Sequence, residues 1–380
     1  MDLICSAITK LKQAKQAVDE LALTIHKDPA LLLFFASTSY SFDELVSCFT
    51  NKFPKSQIVG VTTTGEIGPT GFDEFSLSVQ SYASQIGKFQ ATLMTDIAKY
   101  PIFERQKLVD TAKQLGIPLH SKNIENEGLA FVFPVGLQAG EEKMLSVVNS
   151  IFEQDGFPIF GGTAGDDAKF EATYVSVNGE FTTTGGAVIF IKPSVDFYII
   201  KENNFESMGK KVKITKADPE KRIVYEMNGR PAAEVFAQAL GVSVTALDKN
   251  WALHPLGRKL NNDFYNASPF MLRESGAIEF YCQVYEGTTL EILQPRDAIV
   301  EMEKTIDNFT NHFTQLNGVL ACNCILRKQQ FQQERLMEKM NERLKQLPNL
   351  CGFSSYGEQL NKSQLNQTML LIGFGKLRAE

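Results

Sequence analysis

The stretch that decides the fold reads IVGVTTTGE over residues 58–66, and related stretches recur as IFGGTAGD at 159–166 and LCGFSSYGE at 350–358. Each begins as an apolar strand, passes through a turn that contains threonine or serine, and ends on a glycine and an acid. Glycine in such a turn permits a positive φ or a close approach of the backbone. The recurrence predicts three copies of one structural unit.

The same series of elements precedes each of these stretches: an apolar strand, a helix and a proline. The strand and helix pairs are 31–36 with 41–52, 128–133 with 141–152, and 318–326 with 328–346. A helix between two strands normally makes a right-handed crossover that joins parallel strands. We therefore predict a mixed α/β fold class, with repeated strand-helix-strand units, mixed sheets and glycine-rich turns that face a shared cleft.

Outside the repeats, two local patterns lead to further predictions. Apolar residues at helical spacing predict a helix over 6–27. Strand-like runs at 75–83 and 88–95, on either side of Gly87, predict a β-hairpin.

The chain length of 380 residues favours two domains over one small core. Pro193 and the polar stretch 201–210 interrupt the pattern of strands. We therefore predict domains at 1–200 and 201–380.

Composition and charge exclude several classes of protein. Hydrophobic residues make up 43% and charged residues 22%, which is typical of a globular chain. The net charge of -6, with no basic block, argues against a nucleic-acid partner. No apolar run reaches the roughly 20 residues that span a bilayer, and the N-terminus lacks the pattern of a signal peptide. We expect no membrane partner and a cytoplasmic location.

The acids that close the turns, Glu66, Asp166 and Glu358, allow two interpretations. They are candidates for acid-base chemistry, or each accepts backbone N–H groups beside its glycine. The chain has no zinc-protease motif and no nucleophile elbow, and no strong nucleophile stands beside a base. We therefore predict that the protein is not an enzyme. An enzyme that acts through one of these acids or Cys324 is the alternative.

His254, within WALHPLGRK at 251–259, is the candidate metal ligand. Neutral imidazole is the usual protein ligand of haem iron, and Arg258 and Lys259 would meet the haem propionates. His312, which we predict on a helix beside apolar residues, is the alternative ligand. An ordinary half-buried histidine remains the structural interpretation of either residue.

Several stretches resemble known domains. IVGVTTTGEIG at 58–68 resembles the signature turn of FIST N-terminal domains, and 228–357 resembles the FIST C-terminal domain. NCILR at 323–327, GFSSYGEQ at 352–359 and NQT at 366–368 resemble the subgroup described as nitric-oxide-sensing haem proteins.

The resemblance implies a sensory protein that binds haem b, detects nitric oxide and changes the autophosphorylation of a partner histidine kinase. One departure is Leu365, which stands where a histidine is expected in some relatives. The alternative is a FIST module without haem that binds a small ligand of the amino-acid type; a homodimer is compatible with both. The polar contacts to such a ligand would come from Thr63, Gly65, Glu66, Arg327, Tyr356, Glu358 and Gln367.

Overall fold

The computed structural model describes residues 2–260 and 263–379, which divide into two compact units. The first unit comprises 1–201, 303–363 and 369–380, and the second comprises Glu202–Met302 and Gln364–Thr368. The chain therefore leaves the first unit after Lys201 and returns to it at Glu303. The predicted division into sequence domains at 200/201 stays a prediction.

Strands make up most of the regular structure. Along the described residues they are β1 Ile4–Thr9, β2 Leu31–Ala36, β3 Gln57–Thr62, β4 Glu66–Gly68, β5 Gly71–Asp73, β6 Leu77–Tyr82, β7 Gly87–Met94, β8 Leu129–Pro134, β9 Ile159–Gly162, β10 Val175–Val177, β11 Glu180–Thr182, β12 Gly186–Pro193, β13 Asp196–Glu202, β14 Phe205–Asp218, β15 Ile223–Met227, β16 Arg230–Pro231, β17 Leu256–Leu260, β18 Asp263–Ala267, β19 Pro269–Leu272, β20 Ile278–Phe280, β21 Thr289–Pro295, β22 Phe313–Cys324, β23 Cys351–Ser355, β24 Glu358–Leu360, β25 Ser363–Leu365 and β26 Met369–Leu377.

The α-helices of the described chain are mostly short. They are α1 Ala14–Leu21, α2 Phe42–Lys52, α3 Arg105–Gln114, α4 Glu141–Asn149, α5 Ala232–Leu240, α6 Ala298–Asn311, α7 Ile325–Gln333 and α8 Met337–Leu344. Short 3₁₀ helices occupy Pro101–Glu104, Ile124–Asn126, Val244–Lys249 and Trp251–Leu253. Within the described residues, the helices are too short or too polar to traverse a lipid bilayer.

The predicted strand-helix-strand repeats are confirmed, and each joins two parallel strands. β2 pairs with β3, β8 with β9, and β22 with β23. β2 is apolar throughout and buried on both faces, as parallel strands covered by helices are. In the third repeat, the single helix predicted over 328–346 is wrong. Arg335 adopts a φ of 58° between α7 and α8, and this left-handed residue interrupts the helix.

Three sheets form the first unit, and the repeats exchange strands among them. The strand orders are β1-β6-β2-β3-β10-β11, β25-β24-β9-β8-β12-β7 and β13-β26-β22-β23-β4-β5. The strand that follows each turn pairs with a strand of a different repeat: β4 with β23, β10 with β3, and β24 with β9. This cyclic exchange draws the turns of the three repeats together.

Aromatic side chains from the three repeats fill the core of the first unit. The rings of Phe35 and Phe353 stack with centroids 4.8 Å apart, and Phe133 lies 6.0 Å and 6.1 Å from them. All three side chains are fully buried. Aromatic pairs at these distances add to the free energy gained by burying apolar surface.

The second unit is built on one large sheet with the order β18-β17-β21-β14-β15-β20-β19, and β16 lies beside β15. Its apolar core includes Phe236 from α5 and Ile292 from β21. Gly241, at a φ of 73°, ends α5 in the left-handed conformation that helix C-termini favour.

Two local predictions are wrong. The segment 6–27 is not one helix, because residues up to Thr9 form β1 and pair with β6. The runs at 75–83 and 88–95 do not form a hairpin: β6 pairs with β1 and β2, whereas β7 pairs with β12 in another sheet. In both cases, pairing with distant strands overrides the local pattern.

Candidate functional site

The three glycine turns meet in the first unit and form a turn junction of residues 62–66, 163–166 and 354–358. Backbone hydrogen bonds connect them from N–H to carbonyl: Thr64 to Ser354 (3.0 Å), Ser354 to Gly65 (2.7 Å), Thr163 to Gly357 (2.8 Å) and Gly165 to Thr62 (2.9 Å). The predicted meeting of the turns is therefore observed. They form a packed junction rather than line an open cleft, because their backbone groups bond to one another.

Glu66, in the first turn, is fully buried and bonded mainly by hydroxyl groups. Thr63 donates its hydroxyl to Glu66 Oε1, and Ser76 donates its hydroxyl (2.6 Å) and its N–H (2.9 Å) to Oε2. Burial raises the pKa of Glu66 to about 7, although these donors oppose the shift. The first turn therefore contains a carboxyl group that titrates near neutral pH.

Asp166, in the second turn, is buried but accepts hydrogen bonds from the backbone. The N–H groups of Phe170, Glu171 and Ala172 donate to its carboxylate at 3.0, 2.6 and 3.1 Å. Tyr356 also donates its hydroxyl to Asp166. The pKa of Tyr356 is raised well above its usual value, mainly by burial and secondly by this hydrogen bond. This acid fixes the path of the chain after the second turn, as the non-catalytic interpretation predicts.

In the third turn, Ser355 donates its hydroxyl to Glu358 Oε1 at 2.7 Å, which repeats the contact of Thr63 with Glu66. Arg327, on α7, is fully buried, and its guanidinium lies 4.6 Å from the centre of the Phe331 ring. The predicted ligand contacts of the first unit therefore lie in the junction or are buried in the protein. Their role in binding stays a prediction for Thr63, Gly65, Glu66, Arg327, Tyr356 and Glu358.

A small cavity of about 110 Å³ lies beside the first turn, where Gly65, Lys328 and Glu74 form part of its wall. The Lys328 ammonium donates to the Thr64 carbonyl at 2.8 Å and pairs with Glu74 at 2.7 Å. Gly65 has a φ of 119°, and a Cβ at this position would lie 2.4 Å from Lys328 Nζ. Glycine is thus required both by the backbone and by the buried lysine.

A larger cavity of about 540 Å³, here called the α2 cavity, opens where β2 and β3 end and α2 begins. Thr38, Asp43, Asp166, Lys169 and Glu171 supply its polar lining. In α/β proteins, ligands bind at the carboxyl ends of parallel strands, because the helix N-termini and connecting loops gather there. The α2 cavity is therefore the candidate ligand site of the first unit.

Hydrogen bonds hold the polar wall of the α2 cavity in place. Lys169 donates to the Thr38 hydroxyl at 2.8 Å, and Asp167 accepts both the N–H (2.9 Å) and the hydroxyl (2.7 Å) of Thr38. Tyr40 also lines the cavity, and its buried hydroxyl has no hydrogen-bond partner among the residues that the structure describes. Burial, together with the nearby Glu66 carboxylate, raises the pKa of Tyr40 to about 12.

Three aromatic side chains also line the α2 cavity. Phe42, Tyr174 and Phe181 line it, and their ring centroids lie 5.7 to 6.2 Å apart. Phe42 is buried, whereas Phe181 is 46% exposed. The cavity thus combines an apolar wall with a few polar groups, which is typical of small-molecule sites.

The segment 166–172 contributes to the walls of both cavities. Asp167, Ala168 and Phe170 have φ values of 54°, 61° and 58°, a region that costs free energy for residues other than glycine. The hydrogen bonds to Asp166 and a stack of Phe170 on Tyr356, with centroids 5.2 Å apart, hold this conformation.

A groove of about 730 Å³ runs along β13 and is the more voluminous opening. β13 is an edge strand of its sheet, and no residue of β2, β3 or α2 lines the groove. The α2 cavity is the better candidate because its position and its lining both fit ligand binding.

His254 lies in the second unit, after the 3₁₀ helix Trp251–Leu253, and is half-buried. Its Nδ1 is 3.0 Å from the Leu293 carbonyl. A carbonyl only accepts, so this contact places the proton on Nδ1 and leaves Nε2 with a lone pair, as a metal-bound histidine requires. Arg258 and Lys259 are exposed on β17.

The other residues predicted to bind a ligand lie elsewhere, and His312 makes the same type of Nδ1 contact as His254. His312, at the end of α6, stacks on Tyr198 with centroids 3.9 Å apart, and its Nδ1 lies 2.7 Å from the Asn308 carbonyl. Gln367 belongs to the second unit and accepts the Ser268 hydroxyl at 2.7 Å. Over the described ranges, no three His, Cys, Asp or Glu side chains are grouped to hold a metal ion.

Of the residues that line the α2 cavity, sequence reasoning singled out Asp166 and missed the others. One signal was present: the run STSYS at 37–41 places hydroxyl groups between a buried strand and a helix. The aromatic wall carried no such signal. Tyr174 and Phe181 flank β10, and only the pairing of β10 with β3 brings them to Phe42.

The fold and this cavity define a ligand-binding α/β protein, and comparison with protein families gives the class. The FIST N domain matches residues 30–230, more than half of the chain, and the FIST C domain matches residues 232–361. The chain therefore belongs to the FIST family, whose domains are sensory, small-ligand-binding modules. The resemblance to FIST domains in the sequence is confirmed, whereas the resemblance to the haem subgroup stays a prediction.

A relative of known sequence is the uncharacterized protein MJ1623 of Methanocaldococcus jannaschii. It is 24% identical over 272 residues, which is 63% of this chain and 52% of that protein. The chain thus spans about half the length of this curated relative.

Proposed function

We propose that the protein is a sensor that binds a small polar ligand of the amino-acid type in the α2 cavity. The observation that carries the proposal is the position of this cavity at the carboxyl ends of β2 and β3. Lys169 supplies a positive charge for a carboxylate, and Thr38 supplies a hydroxyl beside it. The aromatic wall accommodates an apolar part of the ligand.

The segment 166–172 provides a route from ligand to signal. Its left-handed residues are held by contacts at Asp166, Thr38 and Tyr356. A ligand that accepts the hydrogen bond of Lys169 in place of Thr38 removes one of these contacts. The segment then moves or becomes more rigid, and a partner protein reads its exposed surface.

Thermal unfolding with each of the twenty amino acids tests this function. A ligand of the folded state raises the melting temperature progressively with its concentration. Lys169→Met should weaken the affinity several-fold, because the carboxylate of the ligand loses its hydrogen bond and ion pair with the exposed Lys169 ammonium. Lys113→Met, at an exposed site on α3, is the matched control.

The proposal fails if none of the amino acids raises the melting temperature of the unaltered protein. It also fails if Lys169→Met and Lys113→Met bind the active compound equally well.

A second candidate function is a haem-based nitric oxide sensor that acts on a partner histidine kinase. The hydrogen bond from His254 Nδ1 to Leu293 favours it, because that bond orients Nε2 as a ligand atom. Haem iron would supply the site that binds the gas. Leu365 is fully buried and has no ligating atom, so the iron would depend on His254, with His312 as the alternative.

The absorption spectrum of the protein expressed with a haem precursor tests this second function. A Soret band that shifts with nitric oxide and is lost in His254→Ala, but not in His312→Ala, supports it. A colourless protein after reconstitution with haem rules it out and leaves the α2 cavity as the sensory site.

A further inference from the structure

We infer that the ligand of the α2 cavity carries a cationic amine at the end opposite its carboxylate. This inference rests on the proposed function and names the class of ligand within it. Two independent features of the cavity support it, the charges of its lining and its aromatic wall.

The charges of the lining favour a cation. Asp43, Asp166 and Glu171 contribute three carboxylates to the α2 cavity, against the single ammonium of Lys169. A ligand with one carboxylate uses the positive charge of Lys169 and leaves the carboxylates of Asp43 and Glu171 without a cation in the cavity lining. A pocket with an excess of one sign of charge concentrates ligands of the opposite sign.

The positions of these acids distinguish two roles. Asp166 is buried and already accepts backbone N–H groups from residues 170–172, so it shapes the wall. Asp43 and Glu171 are exposed and lie at the rim of the cavity. Rim carboxylates can exchange water for an arriving ammonium group without breaking the structure around them.

The aromatic wall provides the second feature. Phe42, Tyr174 and Phe181 gather with centroids no more than 6.2 Å apart, and Phe181 remains 46% exposed in a cavity of about 540 Å³. An ammonium group within about 6 Å of a ring centroid is attracted to the face of the ring. Rings and carboxylates that line one cavity therefore favour an alkylammonium over a neutral alkyl chain, because only the cation benefits from both.

The alternative interpretation is that the acids are solvated surface charges and that the rings serve only to pack the protein. It predicts no difference between ligands that share shape and carboxylate but differ in the terminal charge. L-lysine and L-norleucine form such a pair, since lysine carries an additional ammonium group at the end of its side chain.

Isothermal titration calorimetry of the full chain with both compounds distinguishes the interpretations. We expect L-lysine to bind at least about tenfold more tightly than L-norleucine, with the difference reduced at high salt. Glu171→Gln and Phe181→Leu should each reduce the affinity for L-lysine several-fold more than they reduce the affinity for L-norleucine. Glu180→Gln, an exposed acid on β11 outside the cavity lining, is the matched control and should keep the preference.

Equal binding of the two compounds, weakened for both by Lys169→Met, would overturn this inference and leave the proposed function intact. A preference for L-lysine that survives Glu171→Gln and Phe181→Leu would also overturn it. If neither compound nor any other amino acid binds, the proposed function fails and the inference with it.

Discussion

The first and second turns occupy equivalent places in their repeats, yet they hold their acids differently. Glu66 is surrounded by the hydroxyl groups of Thr63 and Ser76 in the core. Asp166 accepts the backbone N–H groups of residues 170–172, which continue into the wall of the α2 cavity. One acid is therefore enclosed by side chains, and the other organises a segment of main chain.

The repeat determines the position of each acid in its turn. The hydrogen-bond donors around the acid determine its pKa and the segment of chain that it holds. Around Glu66, the hydroxyl donors do not offset burial, so the carboxyl group titrates near neutral pH. Asp166 instead accepts backbone N–H groups of the strained segment 166–172 and thereby acts as a clamp, holding this segment in its conformation. Substitutions in the two turns should therefore differ in kind as well as in size.

The largest effect is expected for Asp166→Ala. Three backbone N–H groups lose a charged acceptor, which should lower the free energy of unfolding by about 4 kcal/mol or more. Urea denaturation measures this change. Asp110→Ala, at an exposed acid on α3, is the control and should stay within about 0.5 kcal/mol. Equal stability of the two variants would contradict the clamp.

The next effect concerns the pH dependence that Glu66 causes. Its pKa is raised from 4.5 to about 7 on folding, so the folded state favours the protonated form. The stability from this proton is fully present below pH 4.5 and is lost as the pH rises through about 7. Glu66→Gln should remove this part of the pH dependence, which amounts to about 3 kcal/mol for a shift of this size.

Urea denaturation of the unaltered protein and of Glu66→Gln between pH 4.5 and 8 gives two curves of unfolding free energy against pH. The difference between the curves is the contribution of Glu66, because the contributions of the other titrating groups cancel. Parallel stability curves for Glu66→Gln and the unaltered protein would show that Glu66 keeps its ordinary pKa.

A smaller effect is expected for Gly65→Ala in the first turn. The left-handed backbone and the clash with Lys328 together should cost about 2 kcal/mol. Gly179→Ala is the matched control, since Gly179 also has a positive φ but a Cβ there meets Thr50 only at 3.6 Å. The control should cost about 1 kcal/mol, which is the backbone part alone. Equal costs would mean that Lys328 moves aside freely.

The smallest effect is expected for Tyr356→Phe, which removes the hydroxyl donor to Asp166 and keeps the ring stacked on Phe170. A loss of about 1 kcal/mol in the free energy of unfolding follows, because the backbone donors to Asp166 remain. Tyr100→Phe, at an exposed tyrosine, is the control. A loss as large as that of Asp166→Ala would show that the tyrosine, and not the backbone, holds the acid.

Much of the local structure could be predicted from sequence, because its causes are local. The apolar run 31–36 forms β2 with the predicted bounds, and the helix predicted over 41–52 is α2, which Pro54 follows. The helix predicted over 6–27 failed for the opposite reason. β1 exists because it pairs with β6, whose residues lie about seventy positions further along the chain.

The candidate site divides in the same way. The sequence by itself determined that three strand-helix-strand units end in turns of glycine, hydroxyl and acid, since hydrophobic period and turn chemistry act over a few residues. Only the tertiary structure decided that the strands after the turns are exchanged between the repeats. That exchange brings Lys169 to Thr38, 131 positions away, and so creates the α2 cavity. No local pattern specifies such a pairing, because it depends on which sheet edges are left open once the repeats have packed.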